Sequence, residues 1–252
     1  MDVGYLALVA GGVGVYWWRY LKTRTARGPK DPLFAPDAEI AMHVARHEAR
    51  SRSQPLSALH VLYGLVQDEA FAAAIARVGG DAACVEDKLL ADLGAPPDRD
   101  ARPAEVGEML NHAVVVARHN ERLATCTDVW AYLAPSPDAR RVLTACSVDP
   151  VALLYVLVHG IVDGAPSALV TREADVVLRN DDYTTREFVV ELLRDVFDLP
   201  EAHAMARMEA AHGQGSAVLG RFAGDTARHK VAEARSRARA QGFPLRIEAE
   251  SR

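Results

Sequence analysis

The chain has 252 residues, a formal net charge of −5 and an isoelectric point near 6.0. That length leaves room for one or two compact domains, and the charge excludes a globally basic nucleic-acid binder, because duplex binding rests on Lys and Arg neutralising phosphates. Cys84, Cys126 and Cys146 lie far apart with no CxxC pair, which fits a reducing compartment better than a disulfide framework or zinc site, and they read as buried small apolar residues.

Val3 to Trp18 carries no charge, and with Tyr20 and Leu21 the stretch 3–21 reaches the roughly 20 residues of a membrane-crossing helix. Tyr16, Trp17, Trp18 and Tyr20 form an interfacial aromatic cluster, and Arg19, Lys22, Arg24, Arg27 and Lys30 follow with no acid before Asp31. Cationic flanks stay on the cytoplasmic side, so the expected topology is single-pass, with the N-terminus outside and everything downstream cytoplasmic. A cleaved signal peptide is disfavoured, because Met1-Asp2-Val3 lacks a positive start and no A-x-A site follows. Residues 22–36, rich in Pro, Gly and Lys, read as a tether.

From 37 to 161 the pattern is helical throughout, with Ile40, Val44, Leu59, Leu62 and Leu65 at three- and four-residue spacing. The segment repeats itself. Val44 to Arg50 matches Val116 to Arg122, and Ile75 to Asp81 matches Leu143 to Asp149, giving copies at about 37–94 and 104–161 joined by a Pro-rich linker from Ala95 to Pro103. Tandem helical units bury their apolar faces on each other, so one pseudo-symmetric bundle is expected. Asp149-Pro150 is an Asp cap with proline at the first helical position. The unit, with Ala-Met-His-Val-Ala-Arg46, then Leu-Ser-Ala-Leu-His-Val-Leu-Tyr-Gly-Leu65, then Gly-Gly-Asp81, resembles the Clp N-domain repeat. That resemblance implies a docking site for adaptors or substrates. No G-x-x-x-x-G-K-[ST] occurs, so the ATPase that follows this domain in Clp unfoldases is missing.

After a linker at 162–173 the character changes to α+β over 174–252. Ala174 to Asn180 reads as a strand, and Thr184-Thr-Arg-Glu187 as a capping box opening a helix with Phe188, Val189, Leu192, Leu193, Val196 and Phe197 on one face. A second helix is predicted from Glu201 to His212 with Gly213 as its left-handed cap, then a strand from Ser216 to Phe222, a helix from Asp225 to Gln241 and a strand from Leu245 to Glu250. The order is βααβαβ.

This last domain is similar to the ClpS adaptor family, through Val-Val-Leu-Arg-Asn-Asp-Asp-Tyr-Thr-Thr-Arg-Glu-Phe-Val189, Met208-Glu-Ala-Ala-His-Gly213, His229-Lys-Val-Ala-Glu-Ala234 and Phe243-Pro-Leu245. The resemblance implies capture of destabilising N-termini (Leu, Phe, Tyr, Trp), known as N-degrons, and their delivery to a Clp AAA+ unfoldase and its protease. A free α-amino group presents three donors and a positive charge, which Asn180, Asp181 and a neutral His212 nitrogen would accept, with Asp182 beside them. Met208 lies four residues before His212 on the same helical face, and its thioether adapts to several ring shapes. Val189, Ala211 and Leu245 match other wall positions of the family. Arg186 stands where the family carries an apolar residue at the pocket mouth, and Ala211 replaces a larger aliphatic. Lys230 matches a family lysine of the unfoldase-docking face.

Each residue also has a plainer reading: Asp181 and Asp182 as turn or helix-cap residues, His212 as a helix-end histidine, Val189 and Leu245 as core, and Lys230 as part of a solvated face with Arg228, Arg235 and Arg237. His43 and His47, with His112 and His119, are the one candidate metal set, and repeated packing explains them more simply. No cofactor and no catalysis are expected. The rival reading is a membrane scaffold that engages an unfoldase without reading N-termini, in which the two Clp-like modules touch each other.

Overall fold

The computed structural model describes residues 32–95, 103–163 and 173–250. The anchor expected at 3–21 and most of the tether lie outside the described residues, and among those described no single helix is long and apolar enough to cross a membrane. Among the described residues eight helices come first: α1 (Pro36–Ser51), α2 (Ala58–Val66), α3 (Glu69–Arg77), α4 (Ala82–Gly94), α5 (Pro103–His119), α6 (Cys126–Leu133), α7 (Pro137–Ala145) and α8 (Pro150–His159). They fall into two sets of four, as the repeat requires.

The register of the repeat differs from the sequence match in one place. Ser53 and Glu121 both take left-handed backbone (φ 55° and 54°) just past α1 and α5. The helices close alike, with Gln54 N–H donating to the Ala49 carbonyl and Arg122 N–H to that of Ala117. Ser57 and Thr125 are the N-caps of α2 and α6, with His60 and Asp128 reaching back to them from the third helical position. All these pairs are 68 residues apart, the spacing of the Ile75/Leu143 match. The Val44/Val116 match is therefore one helical turn out of register, because a three-to-four-residue apolar period repeats itself within the helix as well as between copies.

Both copies share one core. Phe71 and Trp130, fully buried, meet edge to face with ring centroids 5.7 Å apart, the arrangement ring quadrupoles favour. A Cβ at Gly64 would collide with the Ala41 carbonyl, so the glycine lets α2 lie close against α1. Two further ties cross between copies: Asp37 accepts from the Cys126 N–H at 3.0 Å, and Asp92 from Arg141 at 2.7 Å.

The cysteines correct the expectation. Cys84, at the exposed start of α4, is disulfide-bonded to Cys146 just beyond α7, with Cα atoms 6.0 Å apart, and only Cys126 is a buried free thiol. The sequence could not show this, because the two sulfurs are brought together by the packing of one copy on the other. Burial and the neighbouring acids Asp37 and Asp68 push the Cys126 thiol up, which disfavours the thiolate form.

The second part runs β1 (Glu173–Arg179), α9 (Arg186–Phe197), α10 (Glu201–Gln214), β2 (Ser216–Ala223), α11 (Gly224–Ala240) and β3 (Arg246–Glu250). The sheet order is β2-β1-β3, antiparallel throughout, with an irregularity at Val176/Val177 opposite β2. The helices bury Val189, Leu192, Leu193, Met208, Val231 and Ala234 against Val176, Leu178, Leu219 and Ile247. Two expected helix signals shift by a residue or two. Thr185, not Thr184, is the N-cap of α9, accepting from Phe188 N–H, while Thr184 turns to Asp181. Helix α10 runs past Gly213 to Gln214, and Gly215 (φ 82°) takes the left-handed cap. Either glycine permits that conformation, so composition alone leaves the choice open.

Candidate functional site

Strand β1 ends against β2, and Asn180, one residue on, donates its backbone N–H to the Gly215 carbonyl at 2.9 Å. This fixes the loop 180–185 next to the end of α10. Within the loop the Asp181 carboxylate accepts the backbone N–H groups of Tyr183 (2.8 Å) and Thr184 (2.7 Å) on Oδ1 and the Thr184 hydroxyl (2.8 Å) on Oδ2. The negative charge is thereby held in place, with Oδ2 retaining capacity for a further donor.

Beside this loop lies a cavity of about 530 Å³, lined by Asn180, Asp181, Asp182, Arg186, Val189, Met208, Ala211, His212 and Leu245. All nine candidate pocket residues thus surround one space. Val189, Met208, Ala211 and Leu245 are buried and supply its apolar lining, so the same side chains belong to the core and border the cavity. His212, at the exposed end of α10, meets Arg186, whose guanidinium lies 2.8 Å from Nε2. A guanidinium can only donate, so in this contact Nε2 is the acceptor.

The remaining lining comes from the other module: Val115, Val116, His119 and Asn120, from α5 and the turn after it. Sequence reasoning had no access to these residues, since nothing in a helical repeat says which face meets a domain downstream.

That face is held by charged and polar contacts. Arg122 makes a two-pronged pair with Asp128, at 2.6 and 2.9 Å, and also donates to Asp182 at 2.9 Å. Tyr183 donates its hydroxyl to Asp128 at 3.1 Å. Asp128 is fully buried; burial alone opposes its charge, but Arg122 and the N–H and hydroxyl of Thr125 prevail and hold the carboxyl below the usual carboxylate range. Burial, then the Asp128 charge, pushes the Tyr183 phenol up. Asp182, a candidate pocket residue, thus spends one oxygen on the neighbouring module. Further along the interface the His159 ring nitrogen meets the Pro244 carbonyl at 2.6 Å, and Asp163 pairs with Arg239 at 2.8 Å. The Thr125–Asp128 pair that caps α6 thus has a second use as the seat of Arg122 and Tyr183.

Lys230 lies apart from this cavity. Its ammonium meets the Val196 carbonyl (2.5 Å) and Asp198 (2.8 Å) at the end of α9, where Asp198 takes left-handed backbone, and sits over Phe197 and Phe222. The surrounding face includes Asp195, Asp225, His229 and Glu233. Among the described residues no group of three His, Cys, Asp or Glu side chains could hold a metal ion.

Comparison with known proteins agrees with this domain. The model of the family "ATP-dependent Clp protease adaptor protein ClpS" matches residues 171–248. The ATP-dependent Clp protease adapter protein ClpS of Oleidesulfovibrio alaskensis is 44% identical over 79 residues, 31% of this chain and 76% of that protein. ClpS of Neisseria gonorrhoeae is 44% identical over 70 residues, 28% of this chain and 67% of its own length. Agrobacterium tumefaciens ClpS2, solved bound to L-phenylalaninamide, is 39% identical and aligns over 32% of this chain and 99% of its own, with a TM-score of 0.30. The Hsp104 N-terminal domain of Candida albicans aligns with 48% of the chain and 86% of its own at 15% identity and a TM-score of 0.43. By its C-terminal domain, this chain belongs to the ClpS adaptor family.

Proposed function

We propose that the protein is a non-catalytic adaptor that captures protein N-termini beginning with a bulky hydrophobic residue and passes them to a Clp AAA+ unfoldase. The observation that carries this reading is the cavity in which Asn180, Asp181 and His212 stand beside the apolar wall of Val189, Met208, Ala211 and Leu245. An α-ammonium needs acceptors and a negative charge, and its side chain needs a dry slot, and both are within one space. Lys230 and the acid-lined end of α9 are the candidate face for the unfoldase, and the helical repeat is a second protein-binding module of the Clp N-domain kind, a reading that rests on its sequence motifs.

The test is fluorescence anisotropy of the full-length protein with peptides beginning in Leu, Phe, Tyr or Trp, each free and N-acetylated. Free peptides should bind and acetylated ones lose at least tenfold, since acetylation removes a charge-assisted donor set whose loss costs about 1.5–3 kcal/mol. Equal binding of both forms would leave a scaffold that engages the unfoldase without reading N-termini. Acetylation is a cleaner probe than Asp181→Ala, because Asp181 also shapes its own loop.

A further inference from the structure

The cavity is larger than its first-residue slot. About 530 Å³ lies within the range of pockets that enclose ligands of several groups and exceeds what one aromatic side chain fills. The surplus lies toward the helical module, where α5 contributes Val115, Val116 and His119 and the turn after it Asn120. Val115 is 63% exposed, an aliphatic side chain on a helix surface that faces an opening. The apposition is fixed rather than incidental: Arg122, two residues beyond that lining, spans Asp128 of its own module and Asp182 of the recognition loop, and Tyr183 reaches back to Asp128. Relaxation of α5 away from the cavity would break these contacts.

We propose that the helical module is the second wall of the recognition site, with Val115 as a specificity-determining residue that reads the residue directly behind the captured N-terminal one and favours an apolar side chain there. The inference rests on the N-terminus reading above and deepens it. With the first side chain held by Val189, Met208, Ala211 and Leu245 and the ammonium by the loop, the next residue faces α5. An apolar side chain placed against Val115 removes both from water, and partial burial of one aliphatic side chain corresponds to about fivefold in affinity.

The experiment compares free peptides beginning Phe-Val, Phe-Ser and Phe-Asp against the full-length wild type, Val115→Ser and Val115→Lys. Because Val115 is largely exposed, neither replacement threatens folding. Wild type should bind Phe-Val about fivefold more tightly than Phe-Ser. Val115→Ser should reduce that ratio below about twofold, and Val115→Lys should gain affinity for Phe-Asp relative to Phe-Ser. A wild type indifferent to the second residue, or a preference that survives both replacements, overturns the inference while leaving capture of N-termini intact. A uniform gain for every peptide in both variants would make α5 an obstruction and overturn it too. Failure of all three peptides to bind any form would overturn the N-terminus reading itself, and this inference with it.

Discussion

His60 and Asp128 occupy equivalent positions in the two copies, and the difference between them redirects the second copy outward. His60 keeps to its own cap, with Nδ1 3.2 Å from the Ser57 N–H and 2.7 Å from its hydroxyl. Asp128 caps Thr125 in the same way and has lone pairs left for Arg122 and Tyr183. A carboxylate accepts at about four positions where an imidazole nitrogen accepts at one, so only the acid can serve a cap and an interface together. Removing Arg122 leaves a buried charge with fewer donors. Arg122→Ala should lower the stability to urea by about 2 kcal/mol, less than for a fully enclosed pair because the arginine is partly exposed. Arg122→Lys should recover less than half, lacking the two-pronged geometry. Equal urea midpoints for wild type and Arg122→Ala would show the pair to be energetically idle.

At the scale of elements, what could be read in advance depended on whether the signal was local. The helices and strands of both parts follow apolar periodicity and caps such as Asp149, whose carboxylate accepts from Val151 and Ala152 N–H at 2.8 and 3.2 Å. Signals that a neighbouring residue could imitate slipped: Thr184 for Thr185, Gly213 for Gly215, and one turn of the α1/α5 match. Contacts between distant elements were legible only where the ClpS resemblance grouped the pocket residues, and elsewhere left no trace. The Cys84–Cys146 bridge joins α4 of one copy to the end of α7 in the other across 62 residues of sequence. The entropy removed from the unfolded chain by a loop of that length corresponds to about 4 kcal/mol. Reduction with dithiothreitol, or Cys84→Ser, should therefore lower the calorimetric midpoint by several degrees. A midpoint unmoved by reductant would remove the bridge as a stabilising element.

At the scale of the whole molecule, the described residues form two hydrophobic cores, one spanning both helical copies and one beneath the sheet, and the interface between the modules is mainly polar. Stability responds to pH through two histidines, one half-buried at this interface and one buried inside the first helical copy. His159, which meets the Pro244 carbonyl, and His60 both have their pKa lowered from 6.5, chiefly by burial. The unfolded chain takes up these protons near pH 6.5 while the folded chain resists, so their linked stability is complete above that pH and is lost as pH falls below it. The thermal midpoint should fall between about pH 7.5 and about pH 5.5, and the slope should flatten in His60→Gln/His159→Gln. An unchanged slope in the double variant would assign the acid response elsewhere.

The Arg186 guanidinium resting on His212 Nε2 changes what capture of an amine would mean for this molecule. An incoming ammonium would exchange with a resident cation of equal charge at that nitrogen, so His212 itself adds little net attraction and the charge-dependent part of capture rests on Asn180 and Asp181. Among free N-termini, which all bring that same charge, the preference then falls to shape and greasiness.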